Sequence, residues 1–171
     1  MIKIVITGAE CSGKTTLAKD LAGHYGAALV PEFARGFLSV LGRPYVKSDL
    51  ITIAMGQQKS EQALSEEPLV ICDTSLLVIK VWSKVKYKSV HPWITVLLQE
   101  APPDLYILPD YNIPYEEDPL REHPYERDML HDMYVDELNR SDIPWMAVTG
   151  SPTERLRQAS KKIDILIVQK S

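Results

Sequence analysis

Hydrophobic positions gather in five short, almost unbroken runs: IKIVIT (2–7), AALVP (27–31), LVICD (69–73), DLYIL (104–108) and WMAVT (145–149). Runs of this length that do not alternate with polar residues read as strands buried on both faces, as in a parallel sheet. The stretches between them repeat with a helical period. Residues 14–24 place Leu17, Leu21 and Ala22 on one face, and the glycines of AGHYG supply a stop. Further helices are predicted over 47–65, 75–87, 91–100, 123–140 and 152–163. Strand–helix alternation of this kind predicts an α/β domain over residues 1–171 with helices on both sheet faces. One segment breaks the pattern. Residues 109–124, PDYNIPYEEDPLREHP, hold four prolines and many charges without apolar periodicity. They predict a lid spanning approximately 109–128.

Composition narrows the function more than the fold. The chain has 171 residues, a length suited to one domain with a genuine core. A net charge of −4 argues against nucleic acid or an anionic membrane as partner. No apolar run approaches the roughly 20 residues of a membrane span, and a chain that enters a strand at once is not expected to carry a secretory leader. Cys11 and Cys72 show neither metal-ligand spacing nor a disulfide framework, so two small buried side chains in a reducing cytoplasm are expected.

The decisive motif follows the first run. Gly8 to Thr15, GAECSGKT, matches G-x-x-x-x-G-K-[ST] in full, after a strand and before a helix. Glycines allow successive N–H groups of Ala9, Glu10, Cys11 and Ser12 to converge on one anion. A helix starting near Lys14 turns its positive end towards the phosphates. Lys14 is expected to bridge the β- and γ-phosphates of ATP, and the Thr15 hydroxyl to bind Mg²⁺, with Thr16 beside them.

Such a loop serves motors, switches and kinases alike. Asp73 closes the third run and suits the second position of the Mg²⁺ site. Thr74 follows it, where many ATPases place a water-activating glutamate, and neither D-x-x-G nor N-K-x-D marks a guanine switch. A kinase further needs a pocket for an acceptor hydroxyl and a base to steer its proton. Glu32 and Arg35, in VPEFAR just beyond the second run, stand where parallel strands open their ligand crevice. Arg121 of the lid is the expected charge stabiliser, and lid closure would exclude water. Arg127 reads as a solvated charge.

Taken together, the motifs resemble one family, the ribosylnicotinamide kinase domain of the bifunctional NAD-biosynthesis regulators. The resemblance runs through GAECSGKTTLAKDLA, PEFAR, AMGQQKSEQAL, LVICDTSLLVIKVW, HPWI and PDLYILPDYNIPYEEDPLR. It implies a P-loop kinase acting on the 5′-hydroxyl of a nucleoside such as nicotinamide riboside, with sheet order 2-3-1-4-5. It carries ATP binding onto Gly8, Gly13, Lys14, Thr15 and Thr16, and metal or hydroxyl contact onto Asp73. Substrate contact falls on Glu32, Arg35, Tyr115, Glu117, Asp118 and Arg121. An aromatic face at Tyr115 and the carboxylates at Glu117 and Asp118 suit a cationic pyridinium.

The sequence also departs from that family. Ser75 stands for a usual aspartate, Tyr115 for a tryptophan, Glu117 for an aspartate and Pro119 for a glycine. The adenylyltransferase and DNA-binding portions of those proteins have no counterpart here, so transcriptional regulation is not implied.

Three features stay outside that scheme. KVWSKVKYK (80–88) reads as a solvated basic helix face in preference to a single-strand binding surface. His24, His91, His123 and His131 form no metal-ligand motif, and the last two are expected on the exposed side of one helix. Ser151 and Pro152 follow the fifth run, where kinases of this fold often hold adenine; the other reading is a helix cap. An ATP-hydrolysing regulatory module and a nucleic-acid-binding protein are the competing classes, and self-association as a homo-oligomer stays open.

Overall fold

The computed structural model describes residues 1–113 and 126–170. Five strands, β1 (Ile2–Ile6), β2 (Ala28–Val30), β3 (Leu69–Asp73), β4 (Leu105–Pro109) and β5 (Trp145–Val148), form one sheet. Its order is β2-β3-β1-β4-β5, with every pairing parallel, as expected. The helices are α1 (Lys14–Tyr25), α2 (Phe33–Val40), α3 (Lys47–Gln62), α4 (Leu76–Tyr87), α5 (Pro92–Glu100), α6 (Arg127–Asn139) and α7 (Pro152–Lys170).

Alternation along each strand divides the core in two, because successive side chains point to opposite faces. Ile4, Ile6, Ile71 and Ile107 face α1 and α7, meeting Leu17, Leu21, Ala159 and Ile163. Val5, Val70, Cys72, Tyr106 and Leu108 face α4 and α6, meeting Leu77, Val81, Tyr134 and Leu138. A third cluster joins α2, α3, α4 and α5 through Ala34, Leu50, Ile53, Leu76, Ile79 and Ile94.

Two elements depart from the sequence reading. Residues 33–40, without a predicted element, form α2, whose packing partners lie on α3. The last helix runs to Lys170, not 163; Tyr25 of α1 clasps it through hydrogen bonds to Ser160 O (3.0 Å) and Asp164 Oδ1 (2.7 Å). Of the expected lid, Pro109–Ile113 and Glu126–Asp128 are described; Tyr115, Glu117, Asp118, Pro119, Arg121 and His123 lie outside the described residues.

Candidate active site

The loop between β1 and α1 wraps the floor of a cleft of about 280 Å³. Gly8 takes φ +139 and Gly13 φ +81, conformations that side chains rarely adopt. At Gly8 a Cβ would also stand 3.0 Å from Leu108 Cδ1. Gly13 is the N-cap of α1 and bears no capping side chain, and the first turn of the helix, Lys14 to Thr16, lines the cleft. Thr15 and Thr16 are exposed there, and Lys14 Nζ donates to the Ala9 carbonyl at 2.7 Å. Gly8 through Thr16 all line the cleft. Cys11, expected buried, is only half-buried and sits in the loop at φ +54, whereas Cys72 is fully buried and its thiol is pushed up by that burial.

The loop is held from behind by a residue that the sequence reading does not single out. Arg155, on the first turn of α7 and 5% exposed, donates to three carbonyls: Ser12 O (2.6 Å), Asp110 O (3.0 Å) and Gly150 O (2.9 Å). One buried guanidinium thereby fastens the phosphate loop to the ends of β4 and β5. Its five fixed donors suit that role better than a point charge would.

Glu32 enters the same cleft from the end of β2, and Arg35 follows it one turn into α2, 3.6 Å away. Burial raises the Glu32 carboxyl above the ordinary range; Asp73 pushes it further, while Lys14 and Arg35 oppose. Asp73 pairs with Ile6 in register, which sets it level with the residue that leads into the loop. It is buried behind the cleft lining, and its Oδ1 has no hydrogen-bond partner among the described residues.

A carboxylate oxygen without a partner among the described residues and a threonine hydroxyl at a helix start are donor types that suit a cation completed by phosphate oxygens. Mg²⁺ is commonly held by one or two carboxylates with substrate phosphates and waters, not by an all-protein cage. The described residues contain no cluster of three His, Cys, Asp or Glu side chains that could hold a metal ion by themselves.

Ser75, in the place of a family aspartate, caps α4 by accepting from Leu77 N at 3.2 Å. Ser151 is likewise structural. Its Oγ and N both donate to Glu154 Oε2, and its Oγ accepts from Glu154 N, a capping box. Neither Ser151 nor Pro152 lines the cleft.

The far half of the cleft is apolar and comes from residues that the sequence reading does not single out. Leu38 of α2, Val78, Val81, Trp82 and Val85 of α4, and Leu130 and Tyr134 of α6 line it, and Ile113 stands beside the loop, its Cδ1 3.7 Å from where a Gly13 Cβ would lie. Trp82 is braced by an Nε1 hydrogen bond to Tyr45 Oη at 2.7 Å, its ring edge-on to Tyr45 at 4.8 Å. The KVWSKVKYK stretch is thus not a simple solvated face. Trp82 turns to the cleft, and Lys80 and Lys84 both pair with Glu137 on α6, a carboxylate 7% exposed.

Two further expectations are corrected at the base of the lid. Arg127 is not a solvated charge: Nη1 donates to Ile113 O at 3.0 Å, and Nη2 reaches the Tyr111 carbonyl. His131 is half-buried, with its ring 5.1 Å from that of Tyr111.

Known proteins with this architecture were found at several distances. The trifunctional NAD biosynthesis/regulator protein NadR of Salmonella typhimurium is 26% identical over 153 residues, covering 85% of this chain and 37% of its own length. The chain thus spans just over a third of that relative. A structure of NadR protein in complex with NR superposes with TM-score 0.76 at 20% identity, over 86% of this chain and 45% of that one. Deoxyadenosine kinase from M. mycoides with bound dATP superposes with TM-score 0.65 at 16% identity, over 95% of this chain and 100% of that one. These likenesses place the sheet and its helices in the P-loop kinase fold anticipated from the sequence. A family model described as AAA domain matches residues 3–155, and the chain belongs to that family.

Proposed function

We propose that the protein is an ATP- and Mg²⁺-dependent kinase that phosphorylates the 5′-hydroxyl of a nucleoside, with nicotinamide riboside the leading acceptor. The observation that carries this reading is the continuity of the cleft. Its floor is a phosphate loop, its far half is an apolar chamber with an aromatic wall, and Glu32 stands in the same lining. The likeness to NadR, one of whose structures holds NR, supports the choice of acceptor.

In this reading the loop N–H groups from Ala9 to Thr16 cradle the phosphates, and Lys14 leaves the Ala9 carbonyl to reach the β- and γ-phosphates. Thr15 and Asp73 hold Mg²⁺, which when bound neutralises charge between those phosphates. Glu32 accepts the hydroxyl proton; a carboxyl raised by burial is better matched to that work at neutral pH than an ordinary one. Arg35 pairs with Glu32 and orients it. Arg121 stabilises the charge of the transferring group, while Tyr115, Glu117 and Asp118 contact the acceptor from the lid. Ser151 and Pro152 are assigned to the adenine end on the family resemblance alone, since the Ser151 side chain and N–H are both engaged with Glu154.

Mass spectrometry of reactions with nicotinamide riboside, uridine, cytidine, thymidine and pantothenate tests the acceptor. A mononucleotide formed fastest from nicotinamide riboside is expected. ATP hydrolysis without any phosphorylated nucleoside would return the protein to the ATPase class. In parallel, Glu32→Gln should lower kcat by about 10²–10⁴-fold with ATP affinity retained. Asp73→Asn should instead raise the Mg²⁺ concentration needed for half-maximal rate.

A further inference from the structure

The start of α2 is capped from the wrong side. A residue at the N-cap normally turns its side chain onto the free N–H groups of its own first turn. Glu32 occupies this position and makes no such bond. Its carboxylate lines the cleft instead. The first N–H of the helix is satisfied all the same, because Phe33 N donates to Gln57 Oε1 at 3.0 Å.

Gln57 belongs to α3 and is 2% exposed. Beside it, Gly56 lets the Phe33 ring close onto α3: a Cβ there would fall 2.2 Å from Phe33 Cε1. The orientation of the Gln57 amide follows from its partner, since a backbone N–H can only donate. Its Nε2 has no partner among the described residues, so Phe33 is the contact that fixes the amide. A buried, half-satisfied amide is a cost to stability. Here it stands at a helix start that delivers a carboxylate to the cleft.

We infer that Gln57 is a positioning residue of the acceptor site: by tying the first N–H of α2 to α3, it fixes where the Glu32 carboxylate enters the cleft. Removing the Gln57 acceptor strips Phe33 N–H of its partner. Without that tie the backbone that joins Glu32 to α2 is no longer held against α3. A carboxylate carried on an untethered helix start no longer keeps its place before an acceptor hydroxyl. The inference rests on the proposed role of Glu32 as base, and it gives a function to the AMGQQKS stretch that lies far from any phosphate.

The test is a double-mutant cycle in the full chain, assayed with MgATP and nicotinamide riboside. Gln57→Met keeps the volume and removes both polar atoms. It is expected to lower kcat at least tenfold while the KM for ATP stays within twofold. In a Glu32→Gln background the same change should alter kcat by less than twofold, because there is no carboxylate left to position. Gln57→Glu, which restores an acceptor for Phe33 N–H, should recover kcat to within threefold of wild type. Should Gln57→Met not fold, Gln57→Asn, whose shorter stem withdraws the acceptor, takes its place with the same expectations.

Equal losses in the two backgrounds would mean a general structural role and overturn the inference. So would a normal kcat for Gln57→Met beside a crippled Glu32→Gln, with the role of Glu32 left standing. Normal turnover by Glu32→Gln would overturn that role itself, and the inference with it.

Discussion

The two halves of the cleft are built on opposite principles. The phosphate half is made of backbone: a few N–H groups in one loop, with glycines where side chains would be strained or collide, held from behind by Arg155. The other half, where we propose that the acceptor binds, is made of side chains drawn from α2, α4 and α6, elements separated by long stretches of chain. A backbone site demands particular residues at fixed spacing, so it leaves a mark in the sequence. A side-chain site demands only apolar bulk at the right points in space, and many sequences meet that. The first half is thereby suited to one invariant ligand group, and the second to variation of the acceptor.

The sharpest way to break this contrast is Lys14→Ala. Loss of a cation at the reacting phosphates should cut turnover by at least about 10²–10³-fold. Its bond to Ala9 O can be replaced by water, so the melting temperature should move by no more than about 2 °C. Calorimetry beside a turnover assay checks both. A large thermal loss would show that the loop depends on its side chains after all.

Arg155→Met should reveal the opposite balance. Three carbonyls lose one shared donor, and at about 1 kcal/mol each the protein should lose about 3 kcal/mol. That corresponds to a fall of roughly 6–12 °C in Tm, accompanied by weaker ATP binding measured by titration calorimetry. Unchanged ATP affinity in a destabilised protein would separate the loop's shape from its anchor.

On the acceptor side, Trp82→Ala removes the braced wall. The nucleoside KM should rise about tenfold with the ATP KM unchanged, the pattern of lost binding in one subsite. Effects on both substrates alike would mean the two halves are one unit.

The smallest expected effect concerns the joint between α4 and α6. Burial works against the Glu137 carboxylate, yet Lys80 and Lys84 hold its carboxyl below the ordinary range. The unfolded chain therefore takes up this proton more readily than the folded one. The stabilisation is complete above about pH 4.5 and is lost as pH falls through the lower folded value. Glu137→Gln should cost about 1 kcal/mol at pH 7, since both lysines can regain water. It should cost progressively less on acidification, as followed by urea melts between pH 3 and 7.

The same contrast explains what could be read in advance. Gly8, Gly13, Lys14 and Thr15 announce themselves by spacing, and the five apolar runs announce the sheet. Helix α2 escapes such a reading because it is barely two turns long and carries Gly36 at its centre; packing on α3 and the Gln57 cap make it a helix. Trp82 lies hidden in a lysine-rich stretch whose charges suggest a surface, although Lys80 and Lys84 in fact meet a carboxylate on α6. Arg155 gives no signal because its partners are carbonyls, which any residue supplies. Ser75 is legible only as a departure from a family pattern; its capping bond to Leu77 N gives it a local role.

The place of β1 in the sheet bears on the order in which the chain can assemble. It precedes the other strands of its sheet in sequence and lies at the centre, yet its neighbours on both sides come much later. The backbone N–H of Lys3 finds its acceptor, Asp104, 101 residues further on. During synthesis one edge of β1 waits for β3 at residues 69–73 and the other for β4 at residues 105–109, and no hairpin can serve as a local seed. Such long-range parallel pairing makes for slow folding, and bare strand edges are prone to pair with other chains in the interval. Lys3 answers part of that hazard. Its charge sits within the strand, and in the finished sheet it is 7% exposed, with Nζ held by Glu61 Oε2 at 3.1 Å and Ala101 O at 2.7 Å. One residue thus discourages misassociation early and is neutralised late, when α3 and the end of α5 arrive beside it.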